Sequence, residues 1–233
     1  MIKIALVLAV LVIGWLLSQM GLKAFERAMV KATRPLSSVH TDIILRRLGQ
    51  AAGVKLKALR VFDHPMVNAA ALSDGTVLIS APLERHFRAG RVSPEELAAV
   101  VAHEVGHVAM GHHAQRVALM PFQLLARNAV VVAIFRLIPF GAAILAPLIV
   151  GFLITRLTRA QEFEADAYAT ALMVRAGYGV KPLTSLLGKM IQLQPPSVDR
   201  DRLKAAEQSF WATHPPSEAR IAAIRAKAGS WGA

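Results

Sequence analysis

Two apolar stretches constrain what this chain can fold into. Ile4 to Leu22 runs for 19 residues without a charge. As a helix rising about 1.5 Å per residue it is roughly 30 Å long, about one hydrocarbon core. The run is long for the apolar region of a signal peptide, and no clear small-x-small cleavage site follows it. Residues 1–24 therefore read as an uncleaved transmembrane anchor. The second tract, Val117 to Thr155, is broken by Arg127 and Arg136 and by Pro121, Pro139 and Pro147. Leu137–Thr155 alone is long enough to span. The tract reads as a helical hairpin dipping into or spanning the bilayer, or as a buried or interfacial helical pair, because Arg127 near a bilayer centre is costly.

Composition supports a lipid partner. The chain is 55% hydrophobic and 18% charged, against about 25% charged in soluble domains. Its formal charge is +12. Several of the cations flank the apolar runs: Lys23, Arg27, Lys31 and Arg34 on one, Arg116, Arg156 and Arg159 on the other. Only 6% of residues are aromatic, which leaves little surface for base stacking, so nucleic acid is not the expected partner. Ahead of the first run stand Lys3 and the amino terminus; behind it four cations face Glu26 alone. That asymmetry favours keeping the downstream domain on the cytoplasmic side of the cell membrane. Cysteine is absent. A disulfide, a thiolate nucleophile and a Cys-ligated metal are thereby excluded, and any transition-metal site must use histidine and carboxylate.

The rest of the chain divides into a helical connector over residues 25–53 and a larger domain over 54–233 into which 117–155 is inserted. In the connector Leu36, Val39, Ile43, Ile44 and Leu48 fall on one helical face. Val54–Asp63 has a partly alternating strand pattern. Ala70–Leu72 and Val77–Ser80 flank an Asp74-Gly75 turn, a hairpin signal. About three strands are expected. Ser93, Pro94 and Glu96 open a helix with a capping box, running to about His113. Further helices are expected over about 156–176, 182–193, 201–211 and 216–228. The fold class is α+β, mainly helical, with a small β-sheet.

The chemistry is concentrated in His103-Glu104-Val105-Gly106-His107. Residues four apart on a helix lie about 40° apart around its axis, so both imidazoles can reach one ion. Leu97, Val101, Val105 and Val108 share the opposite, apolar face, which turns the histidines toward a possible cleft. A catalytic zinc needs a third protein ligand and an open position. His113 stands ten residues after His103, but the glycine that would turn the chain back is displaced to Gly111, with Met110 in its place. Glu162, on the later helix, is the favoured candidate. Asp166, one turn on, can hydrogen-bond a ligand imidazole. Glu164 points away, and His112 and His113 read as helix-end or packing residues.

HEVGH, an apolar insertion, Arg159-x-x-Glu162-x-Glu164-Ala165-Asp166, and then Thr213-His214-Pro215-Pro216 with Arg220 form an ordered set. It resembles the HtpX and CAAX prenyl protease family of integral-membrane zinc metalloendopeptidases, over about residues 54–227. The resemblance implies a zincin-like catalytic domain with one catalytic zinc ion. His103, His107 and Glu162 would be its ligands and Asp166 their orienter. Glu104 would activate water. His214 and Arg220 would line the cleft and stabilise the oxyanion. Asn68 and Ala69 would bind the substrate backbone as an added strand. The chain has one clear N-terminal span where HtpX has two. The implied substrates are polypeptides, misfolded or membrane-proximal, in membrane-protein quality control. A catalytically silent zinc-binding membrane adaptor is the alternative, against which the intact Glu104 argues.

Overall fold

The structure is a computed structural model that describes residues 2–112, 142–190, 192–193 and 218–229. Its contacts define two compact units, one of residues 1–28 and 111–160, the other of residues 29–110 and 161–233. Helix α1 (Ile2–Ala32) lies in the first as far as Ala28, and its last four residues belong to the second. Among the residues whose side chains are described, no helix is long and apolar enough to cross a membrane; most of the expected anchor, residues 1–24, is not among them. The first part of the expected hairpin, 117–141, lies outside the described residues, as do the expected helix 201–211 and the 213–216 motif.

The second unit carries the sheet and every described candidate site residue. Its elements are β1 (Arg34–Pro35), α2 (Val39–Ala52), β2 (Ala58–Phe62), β3 (Ala69–Ala71), β4 (Thr76–Ser80), α3 (Ala81–Arg88) and α4 (Pro94–Ala109). After these come the later part of α5 (Ala142–Arg175), then α6 (Lys181–Lys189) and α7 (Glu218–Gly229). The sheet is mixed, in the order β1-β2-β4-β3: β1 and β3 run antiparallel to their neighbours, while β2 and β4 are parallel. The hairpin forms where Asp74-Gly75 signals it. Asp74 Oδ1 accepts from Thr76 N at 2.9 Å. Gly75 has φ +87°, and a Cβ there would meet Lys55 O at 2.4 Å, so only glycine fits.

Three expectations change. The connector is not one helix: α1 ends at Ala32, and Arg34-Pro35 adds a fourth strand, with Leu36 N donating to Leu59 O at 2.9 Å. Proline cannot continue a helix interior but suits a sheet edge. Of the connector's apolar face, Leu36, Ile44 and Leu48 are buried while Val39 and Ile43 are exposed. Finally, the helix expected from about residue 156 already begins at Ala142.

Helix α4 has the cap the sequence specifies. Ser93 Oγ accepts from Glu96 N at 3.1 Å, and Glu96 Oε2 accepts from Ser93 N at 2.9 Å. The other Glu96 oxygen accepts from Ser185 Oγ at 2.7 Å and Lys189 Nζ at 2.6 Å on α6. One carboxylate thus starts the helix and fastens it to a neighbour. Burial alone would raise the Glu96 pKa, but these donors outweigh it and the pKa is lowered. Ser93→Ala removes the cap and is expected to destabilise the domain by about 1 kcal/mol. Chemical denaturation of the full chain in detergent checks this; a midpoint identical to that of the parent protein would count against the cap's role.

Candidate metal centre

Residues 96–107 of α4 are buried on every side. The expected division into a core face and a cleft face is therefore incomplete: the apolar face packs into the main core, and the histidine face is covered by α5 and α7. Gly106 permits this. A Cβ on it would lie 2.9 Å from Ala165 O and 3.2 Å from Ala165 Cα on α5. Such a contact is against backbone, which cannot swing aside as a long side chain can. The helices cross where neither carries bulk, and the glycine of HEVGH has a steric reason to be there.

The crossing brings the ligand candidates together. His103 Nε2 and His107 Nε2 are 3.2 Å apart. Glu162 Oε2 lies 3.5 Å from His103 Nε2, and Glu162 Oε1 lies 3.5 Å from His107 Nε2. All three side chains are buried, and together they form a group able to hold a metal ion. Ligand atoms around a tetrahedral ion bound at about 2.0–2.1 Å stand roughly 3.3 Å apart. The three side chains form a triangle with spacings close to those such an ion requires, Glu162 facing the two imidazoles with different oxygens. His113, the rival third ligand, lies outside the described residues. Helix α4 stops at Ala109, and Gly111 has φ +69°, so the continuous helix expected to reach His113 ends earlier. His112 is buried and Glu164 is exposed.

Behind the triangle lies a second layer of charge. His103 Nδ1 is 3.0 Å from Asp166 Oδ1. Burial disfavours the charged imidazolium of His103, but the bonds to Asp166 and Glu162 prevail and lift its pKa to about 9. Arg220, from α7, reaches Asp166 Oδ2 with Nε at 2.6 Å and Oδ1 with Nη2 at 2.8 Å. Its Nη1 is 3.2 Å from Glu162 Oε2. Burial pushes the Asp166 pKa up, yet the hydrogen bonds from Arg220 and His103 bring it below the ordinary carboxylate value.

On the open side is a pocket whose lining includes Asn68, Ala69, His103, Glu104 and Arg220. Its far wall is apolar, built from Leu83, Ala99, Val100, Leu183, Leu186 and Met190 among others. Ala99 and Val100 lie one turn before His103 and Glu104 on α4. Asn68 directs its Oδ1 to Ala69 N at 2.8 Å and its own N–H to Ser80 Oγ at 2.9 Å. Those bonds hold the start of β3, an edge strand of the sheet, beside the histidines. His214 lies outside the described residues. Leu183, Leu186 and Met190 were not singled out in the sequence, since spacing alone presents them as ordinary core positions.

Residues 35–228 match the description "Peptidase family M48". The chain belongs to peptidase family M48. It resembles the protein named Protease HtpX from Pseudomonas aeruginosa, at 31% identity over 215 residues, covering 79% of this chain and 71% of that one. Protease HtpX of Cellvibrio japonicus is 30% identical over 204 residues (76% and 68% covered), and that of Hahella chejuensis 28% over 209 (78% and 70%). The family makes this M48 chain a peptidase acting on polypeptides, and the His103–His107–Glu162 cluster fits the metal its chemistry needs.

The Gly106–Ala165 approach gives the site its most direct test. Gly106→Ala is expected to push α4 from α5, destabilise the domain by about 1–3 kcal/mol and weaken metal binding. Thermal melting and a metal titration, both in detergent, measure the two effects. A variant that melts and binds metal like the parent would remove this contact from the account of the site.

Proposed function

We propose that this M48 chain is a membrane-anchored zinc endopeptidase in which His103, His107 and Glu162 hold the ion and Glu104 is the general base and acid. The observation that carries the reading is the cluster of three buried side chains: the two imidazole Nε2 atoms are 3.2 Å apart, and each lies 3.5 Å from a different oxygen of Glu162. Two imidazoles and a carboxylate suit zinc and leave a position open.

When bound, zinc supplies a Lewis acid that polarises the scissile carbonyl and lowers the pKa of water toward about 7. Glu104 is buried at the pocket wall next to His103. Its carboxylate takes the proton of the attacking water and passes it to the leaving amine. Asp166 holds the His103 ring from behind, fixing its orientation and leaving Nε2 to face the ion. Asn68, Ala69 and the rest of β3 offer a strand edge to the substrate backbone. The apolar wall beyond Glu104 receives a substrate side chain. His214 keeps the oxyanion-donor role that the resemblance to the HtpX and CAAX prenyl protease family implies.

The membrane part of the reading rests on the uncharged run Ile4–Leu22 and the cations behind it. A domain on the cytoplasmic side, working on misfolded or membrane-proximal polypeptides, follows from that cation asymmetry and from the resemblance to HtpX proteases.

Two substitutions test the chemistry. Glu104→Gln is expected to keep one zinc per chain and to lose cleavage of unfolded casein by at least about 100-fold. Glu162→Ala is expected to lose the zinc, while His113→Ala retains it. Zinc stoichiometry and a casein assay in detergent read both. Full activity in Glu104→Gln would end the proposal. A zinc-loaded wild-type protein that leaves casein intact would favour the silent adaptor.

A further inference from the structure

Glu162 and Asp166 stand one turn apart on α5, both almost completely buried. Two carboxylates so placed repel each other, and the cation that the protein itself sets against both is Arg220. Arg220 lies against the pair, itself only 4% exposed. Its Nε and Nη2 take the two oxygens of Asp166 at 2.6 and 2.8 Å, and its Nη1 reaches Glu162 at 3.2 Å. Each of its three nitrogens thus has a carboxylate neighbour. The planar fork allows this, and the point charge of a lysine cannot reproduce it. The guanidinium is supplied by the first turn of α7, more than 50 residues further along the chain. Helix α7 is fixed in turn by Ile224, buried in the main core.

We propose that Arg220 is a positioning residue of the metal centre, holding the third ligand Glu162 and the His103 orienter Asp166 in register, so that helix α7 is part of that centre. This rests on the reading of His103, His107 and Glu162 as ligands. It differs from the oxyanion role that the family resemblance implies for Arg220. An oxyanion donor acts on the substrate and leaves metal affinity alone. A clamp on a ligand and its orienter acts on metal affinity before any substrate arrives.

The test uses the full chain in detergent and zinc as the probe, with affinity measured by competition against a chelator. Arg220→Lys is expected to bind zinc about 10- to 100-fold more weakly than wild type, the usual loss on removing a partner of a ligand. Its metal-free form should still melt cooperatively. On an Asp166→Asn background the same substitution should weaken zinc by a smaller factor, because most of what Arg220 holds is already altered. Arg220→Gln replaces Arg220→Lys if the lysine variant does not fold. A folded variant that binds zinc within about threefold of wild type overturns the proposal; if it also loses cleavage, Arg220 belongs to the substrate. Failure of both variants to fold likewise overturns it, assigning Arg220 to the fold. A wild-type chain that takes up no zinc would instead sink the ligand assignment, a result distinct from variants that hold zinc normally.

Discussion

The close approach of α4 and α5 at Gly106 and Ala165 is the contact on which the site depends. A Cβ on Gly106 would sit 2.9 Å from a backbone oxygen, so the crossing exists only because that side chain is absent. Around it the two helices present their polar groups to each other: His103 and His107 on one, Glu162 and Asp166 on the other. Burying that many polar groups is unfavourable unless each finds a partner. Here they find one another, through the His103–Asp166 contact and the Arg220 pairs. The arrangement places the imidazole Nε2 atoms and the Glu162 oxygens around one point, and a metal ion is the ligand that suits it.

The remainder of the second unit holds those helices in place. The capping box of Ser93 and Glu96 fixes where α4 begins, and Glu96 also ties it to Ser185 and Lys189 on α6. The mixed sheet packs on α4 and brings its edge strand β3 beside the histidines. Asn68 secures the start of that strand with its own side chain. One side of the cleft is then backbone edge and the other an apolar wall from α4 and α6. The exposed strand edge and the apolar wall thus meet at the histidines.

Much of the site was legible because its parts are local. The i, i+4 histidines, the glutamate between them and the Ser93–Glu96 cap are periodic or short-range patterns whose geometry a helix fixes in advance. The Asp74-Gly75 hairpin is legible for the same reason: the turn demands a backbone angle that glycine supplies. The short strand Arg34–Pro35 was hidden, because two residues carry no periodicity and their pairing with β2 is a tertiary choice. The apolar wall was equally hidden, since Leu183, Leu186 and Met190 look like any core-facing residues until they are seen beside Glu104.

The sequence by itself determined the chemistry available to this protein: two imidazoles and a carboxylate for a metal, a neighbouring glutamate for proton transfer, no thiols, and apolar runs suited to a bilayer. These are properties of residue type and short-range spacing, which survive in any fold that keeps the helices. Only the tertiary structure decided which distant groups come together around one point, and what Arg220 touches. Glu162 lies 55 residues beyond His107, and Arg220 a further 58. No periodicity links positions so far apart; helix crossing and the pairing of buried charge do, and those forces act only once the chain has closed on itself.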